Sequence, residues 1–415
     1  MRCTQRGLIF PAKSGVLIVL FFFLLNVWIL GDEPGWTIEP ELRSRAAVLY
    51  DYETGALLYE KGADTVLPPA SMTKLMTLHL AYRAIEAGQI EPNTVVRVGE
   101  SGDFHNLPRR SSLMFLETGQ EVTVRQLMQG LAVPSGNDAA VVLAELISGS
   151  VEEFVDWMNG EVDRLGLQDM HFVDPAGLSE ENRVTAREFG RFCMYYIREH
   201  PDALEDLHGI EEFTYPSEED VTNGEPASLG PVTQENYNVL IGRHPWVDGL
   251  KTGYIDESGY NIALTAAAAD RRLVAVLMGG PGDGPREGAF TRAIDGMHLL
   301  SYGFFAFERI EPDPPAVGPI RVWKGESRHF AAVPDAPEPL VVPAAIAASL
   351  SWESETYMRL TAPLTREDQV GVVRLMNGEQ MLAEYPIYPL EDVKTGGWLR
   401  RMLDSLFLIL KDIFG

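Results

Sequence analysis

Pro68-Pro69-Ala70-Ser71-Met72-Thr73-Lys74-Leu75-Met76 is the stretch from which the rest of the chain can be read. The prolines end an extended segment and Leu75, Leu78 and Leu80 open a run of helical spacing, so Ser71 is expected at a helix N-terminus. Three residues later Lys74 falls on the same face, where its amine reaches the serine hydroxyl and, if neutral, takes its proton. The helix start also offers free backbone N–H groups and a positive dipole end, both suited to an oxyanion forming on an attacked carbonyl. Ser-x-x-Lys alone arises by chance on the order of once in a chain of this length, so its meaning depends on companion motifs further along the chain.

Two such elements occur in order. Ser135-Gly136-Asn137 reads at face value as a turn, but it is wedged between apolar Leu131-Ala132-Val133 and Ala139-Ala140-Val141-Val142-Leu143, where polar side chains are costly unless they have a task. Lys251-Thr252-Gly253 lies between Trp246–Leu250 and Tyr260–Thr265, stretches suited to sheet strands. A second copy, Lys394-Thr395-Gly396, comes after acidic Glu391-Asp392 and is expected to be a linker. Ser-x-x-Lys, Ser-x-Asn and Lys-Thr-Gly in this order point to an active-site serine that forms an acyl-enzyme.

The segments around Ser71, Pro134-Ser135-Gly136-Asn137-Asp138-Ala139-Ala140 and Asp248-Gly249-Leu250-Lys251-Thr252-Gly253-Tyr254 resemble the low-molecular-mass penicillin-binding proteins, the serine D-alanyl-D-alanine carboxypeptidases of peptidase family S11. Phe172–Leu178, Ser258–Asn261 and Met278-Gly279-Gly280 with Arg286-Glu287 resemble that family at matching places. The resemblance implies a β-lactamase/transpeptidase-like catalytic domain. It also implies removal of the terminal D-Ala from peptidoglycan stem pentapeptides, and covalent inhibition by β-lactams, with no cofactor and no metal. Ser71 is then the nucleophile, Lys74 its base and Ser135 a proton relay, while Asn137 bonds the substrate amide and orients Lys74. Lys251 and Thr252 suit the substrate carboxylate, and Gly253 is expected to let substrate backbone lie close to the strand. The N–H groups of Ser71 and Tyr254 form the oxyanion hole. Arg286 either strengthens the field for the carboxylate or makes a surface ion pair. Tyr237, Ile255 and Asp174 depart from the family pattern, which commonly has arginine, threonine and a small polar residue or asparagine there.

Around these motifs the pattern is α+β. Ala47–Asp51 and Ala56–Glu60 read as a hairpin, and Asn261–Ala268 with Leu273–Met278 as a second. With the stretch before Lys251 they predict an antiparallel sheet of about five strands built from distant parts of the chain. Leu75–Ala87, Val124–Val133, Ala139–Ser148 and Val151–Leu165 have helical spacing and are expected to pack against it. Pro312-Asp313-Pro314-Pro315 marks a linker. Beyond it, strands at Pro319–Trp323, Leu340–Val342, Thr356–Leu360, Val370–Met376 and Gln380–Tyr385, with a hairpin turn at Asn377-Gly378, predict a small all-β domain. The expected divisions are 1–31, 40–308, 316–393 and 397–415.

Residues 1–30 contain Arg2, Arg6 and Lys13, no Asp or Glu, and an apolar run from Gly15 to Leu30. This predicts export, through a cleaved signal peptide or a retained anchor, to the periplasm or the outer face of the cytoplasmic membrane. In Trp398–Gly415 an apolar face of Leu399, Met402, Leu403, Leu406, Phe407, Leu410 and Phe414 opposes a charged one. Such a helix is expected to lie on a bilayer surface, with docking on its own protein as the alternative. A formal net charge of −26 argues against nucleic acid as a partner. Cys3 and Cys193 are the only cysteines, so nothing is stapled by disulfides after signal cleavage. His200 and His208 do not have metal-site spacing, and no His-Glu-x-x-His occurs. No Glu-x-x-Leu-Asn lies between Ser135 and Lys251 to supply a β-lactamase's extra base. The competing readings are a D,D-endopeptidase acting on cross-links with the same serine and a catalytically silent wall-binding protein.

Overall fold

The computed structural model describes residues 39–217, 228–335 and 337–414; the export segment read over 1–31 lies outside them. Strands β1 (Ala46–Asp51) and β2 (Leu57–Lys61) form the first hairpin, and β7 (Val247–Ile255), β8 (Gly259–Ala268) and β9 (Arg271–Gly280) complete an antiparallel sheet in the order β2-β1-β9-β8-β7. Two small hairpins lie between them, β3 (Val95–Arg97) with β4 (Glu121–Thr123) and β5 (Glu212–Tyr215) with β6 (Val232–Glu235). The central strands read as continuous apolar runs because both faces of the sheet are covered. Ala46, Val48 and Tyr50 of β1 and Val274, Val276 and Met278 of β9 enter one core, while the alternate residues Ala47, Leu49, Leu273, Ala275 and Leu277 enter another.

The first core belongs to the helices carrying the motifs: α1 (Lys74–Glu86), α2 (Val124–Ala132), α3 (Asn137–Ser148), α4 (Val151–Leu165) and α5 (Ala186–Glu199). The second lies under α6 (Pro285–Phe305), through Leu299 and Leu300. Helices α5 and α6 are additions to those expected from spacing. For α5 the signal is present: Thr185 caps the helix by accepting from the Glu188 N–H, and Phe189, Phe192, Cys193, Tyr196 and Ile197 form its buried stripe. Helix α6 lacks such a stripe because small residues face the sheet; a Cβ at Gly296 would stand 2.4 Å from Leu264 and one at Gly303 2.6 Å from Leu49.

After α6, strand β10 (Phe307–Ile310) precedes the proline-rich stretch and pairs antiparallel with β13 (Leu340–Pro343), so the two parts of the chain share a small sheet across the linker. The distal sheet runs β11 (Val317–Arg321), β12 (His329–Pro334), β16 (Gln380–Pro389), β15 (Gly371–Asn377), β14 (Ser351–Thr356). The strand expected at Thr356–Leu360 is instead a turn, with Met358 exposed and Arg359 at φ +67°, and pairing ends at Thr356. Strand β12 has no sequence signal strong enough to mark it. Helix α7 (Trp398–Phe414) packs on this domain: the Lys324 N–H donates to Asp404 Oδ2 at 2.6 Å, Arg400 donates to the Glu326 carbonyl at 2.7 Å, Arg359 pairs with Asp412, and Phe407 stacks on Trp323.

Candidate active site

Ser71 lies in a single 3-10 turn, Ala70–Thr73, that leads into α1. Ala70 is held at φ +50°, a left-handed conformation that costs a non-glycine residue about 1–2 kcal/mol. Lys74 opens α1 and is fully buried, with Nζ 3.1 Å from Ser71 Oγ, 2.7 Å from Asn137 Oδ1 and 2.6 Å from the Ala176 carbonyl. The last two oxygens can only accept. They take two N–H bonds of the amine, so in neutral lysine the remaining lone pair faces the one partner able to donate, the Ser71 hydroxyl. Burial pushes the Lys74 pKa down to about 7 against the opposing pull of Asp174 and Asp138.

The acceptors of Lys74 are themselves fixed. Ser135-Gly136-Asn137 joins α2 to α3; Ser135 sits at φ +61° with its Oγ buried and unpartnered among the described residues. Gly136 leaves room for Asp138 Oδ1 and Met114, which a Cβ would meet at 2.7 and 3.0 Å. The buried Asp138 carboxylate accepts from the N–H groups of Met114, Phe115, Leu116 and Ala139, pinning the segment that flanks Asn137. On the other side Asp174 accepts from the N–H groups of Ala176, Gly177, Leu178 and Ser179, which aims the Ala176 carbonyl at Lys74. Asp174, read as a departure from pattern, is thus the organiser of its loop.

Lys251, Thr252 and Gly253 lie on β7, the edge strand of the sheet. Lys251 is buried, the only hydrogen-bond contact of its amine among the described residues being a long one of 3.5 Å to the Thr252 carbonyl, and burial with the like charges of Lys74 and Arg292 drives its pKa well below the usual lysine value. Gly253 also has a task within the protein. Its absent side chain makes room for the nucleophile turn, since a Cβ would stand 2.4 Å from the Pro69 carbonyl and 3.2 Å from the Met72 nitrogen. Tyr254 turns its half-exposed ring along the rim, stacked on Tyr260 and donating to Asp256 at 2.6 Å. The Lys394-Thr395-Gly396 copy belongs to the β domain, where Glu326 and Gly396 exchange backbone bonds with Lys394 and Lys324.

Arg286 is exposed on the first turn of α6 and no contact among the described residues joins it to the site. Beside Lys251–Gly253, β7 is reached by Arg292, nearly two turns on, which donates to the carbonyls of Gly253 at 3.3 Å, Asn261 at 3.4 Å and Tyr237 at 3.1 Å; burial lowers its pKa to about 10. Neither Arg292 nor Asp138 belongs to a motif of its own in the sequence. The same holds for His208, buried beneath β7. The Leu250 carbonyl, 3.0 Å from Nδ1, can only accept, so Nδ1 carries the hydrogen and Nε2 accepts from Tyr196 Oη at 2.9 Å. Burial and the adjacent Lys251 keep this imidazole neutral, with its pKa pushed down to about 3.

The geometry couples a buried amine that can be neutral to a serine hydroxyl, as acyl transfer through a serine requires, and sets a second buried amine on the adjoining strand. Comparison with known proteins agrees. The sequence profile of the D-alanyl-D-alanine carboxypeptidases, peptidase family S11, matches residues 35–282, and that of the penicillin-binding protein 5 C-terminal domain matches residues 315–395. The chain is 34% identical to D-alanyl-D-alanine carboxypeptidase DacD of Salmonella typhimurium, over 88% of this chain and 90% of that one. It is 31% identical to DacF of Bacillus subtilis, over 88% and 89%. Penicillin-binding protein 5 of Haemophilus influenzae superposes with a TM-score of 0.69 at 29% identity, covering 86% of this chain and 99% of that one. With family profile, full-length relatives and catalytic fold in agreement, the chain belongs to the serine D-alanyl-D-alanine carboxypeptidases of peptidase family S11.

Proposed function

We propose that Ser71 Oγ attacks the carbonyl between the two terminal D-alanines of a peptidoglycan stem peptide and that Lys74 takes its proton. The observation that carries this assignment is the Lys74 amine, whose two carbonyl-type acceptors leave its lone pair for Ser71. The oxyanion forms against the N–H groups of Ser71 and Tyr254. As the C–N bond breaks, Ser135 Oγ, which has no other partner among the described residues, relays the proton taken by Lys74 to the departing D-Ala amine, which leaves Lys74 neutral again. Lys251 and Thr252 receive the terminal carboxylate, with Arg292 adding positive potential behind the strand. Water, deprotonated by Lys74, then releases the shortened peptide. A β-lactam acylates Ser71 by ring opening, and because its amine stays tethered the acyl-enzyme persists. This fits a relative that is named for binding penicillin.

Residues 40–308 form the catalytic domain and 316–393 a spacer. The apolar face of α7 lies on the membrane surface, with export directed by residues 1–31. Exposure of Leu399, Met402, Leu406, Ile409 and Ile413 on α7 supports the surface reading; no helix among the described residues is long and apolar enough to cross a membrane.

The test is to incubate the protein with labelled penicillin and with a D-Ala-D-Ala pentapeptide, and to map the adduct. Ser71→Ala is expected to abolish labelling and D-alanine release while keeping the melting temperature. Labelling retained in that variant would sink the assignment, and faster cleavage of cross-linked dimers than of pentapeptide would move the activity to endopeptidase.

A further inference from the structure

A basic groove lies in an otherwise acidic molecule. Between α7 and the turn linking β11 to β12 is a cleft of about 350 Å³, lined by Arg321, Arg328 and Arg400 together with Leu403, Leu406 and Leu410. The Arg321 guanidinium stands 4.0 Å over the Trp323 ring, and Arg400 donates to the Glu326 carbonyl. None of the three guanidiniums has a carboxylate ion-pair partner among the described residues. The one acid in the lining, Asp404, is engaged by the Lys324 N–H. Unpaired arginines concentrated at one place are conspicuous in a chain of net charge −26. The leucines of the groove are 44–54% exposed and continue without a break into the outward apolar face of α7.

We propose that this groove binds the phosphate of an anionic phospholipid, with the lipid's acyl portion running along Leu403, Leu406 and Leu410. The proposal rests on the reading of α7 as a membrane-surface helix and adds which lipid it selects. Charge decides the occupant. Guanidinium groups bond phosphate oxygens through paired N–H donors, and a ligand anionic at one end and apolar at the other matches both kinds of lining residue. Free phosphate would leave the leucines in water, and a second copy of the chain would bring one strongly acidic surface against another. Away from the groove the acidic surface repels an anionic bilayer, so these arginines are what reverse the sign locally.

Co-flotation of the full chain with vesicles of phosphatidylcholine alone, or of phosphatidylcholine mixed with phosphatidylglycerol, tests this. Wild type is expected to prefer the anionic vesicles by at least about tenfold, since each basic side chain at such a surface contributes several-fold. Arg321→Gln/Arg328→Gln/Arg400→Gln should lose that preference while keeping binding to neutral vesicles and D-alanine release. The segment 1–31, with Arg2, Arg6 and Lys13, is present in every arm, so the quantity read is the wild-type preference divided by that of the triple variant. Inorganic phosphate at the concentration of the lipid phosphate should not compete. Equal partition of wild type, a preference undiminished by the triple substitution, or full competition by free phosphate would each overturn the proposal. Quenching of Trp398 by brominated acyl chains, taken as the difference from Trp398→Phe, reads the underlying helix placement. Without quenching both readings fall, and with quenching but no preference only the groove does.

Discussion

Lys74 carries its amine into the protein with no carboxylate in hydrogen-bond reach, and burial outweighs the attraction of Asp174 and Asp138 to leave its pKa at about 7. The unfolded chain holds the same proton up to about 10.4. Between these values the unfolded state binds more protons than the folded one, so stability rises with pH across that window, and the penalty is fully present below about 7. Catalysis tracks the same titration because only the neutral amine accepts the Ser71 proton. The second-order rate of penicillin acylation should fall about tenfold per pH unit below about pH 7 and level off above it; a flat profile across that range would remove Lys74 as the base. The sequence announces this pair because a helical i, i+3 spacing puts the two groups on one face. It does not announce Asp138 or His208, because their roles are bonds to backbone groups of other segments, and such bonds have no spacing.

The catalytic elements are held by steric fit as well as by hydrogen bonds. Strand β7 presses on the nucleophile turn at Gly253, and the Phe172–Leu178 loop presses on it at Gly177, where a Cβ would lie within 2 Å of the Ala70 carbonyl. Gly253→Ala sets a methyl against the Pro69 carbonyl, a backbone atom that no rotamer can move aside. It is expected to cost about 1–3 kcal/mol of stability and to slow acylation on the order of a hundredfold by shifting Ser71 relative to β7. Thermal melts together with acylation rates check both, and an unchanged rate would mean that the turn and strand need no fixed separation. The five-strand sheet and four of the helices were legible because burial on both faces writes long apolar runs and amphipathic helices write a period. Helix α6 was not, since close packing there selects glycine, which erases the apolar stripe, and the Ser351–Thr356 edge strand was missed because it is largely exposed and reads as polar.

At the scale of the molecule, 60 acidic against 34 basic side chains make self-repulsion a standing cost of the compact state. Raising salt from about 0.01 M to about 0.1 M shortens the screening length from about 30 to about 10 Å, so the melting temperature should rise by several degrees over that range. A fall would mean that the surface ion pairs, among them those of Arg187 with Glu60 and Asp64 and of Arg374 with Glu355 and Glu384, outweigh the repulsion. The proline-rich stretch at Pro312–Pro315 invites a cut between domains, but β10 before it is paired with β13 beyond it. A fragment ending there would keep Phe307–Ile310 and lose its partner, leaving a row of unpaired N–H and C=O groups at its terminus. An open edge of that kind is a template for another chain, so a fragment divided at the prolines would tend to aggregate, and a soluble catalytic core has to end at the last turn of α6.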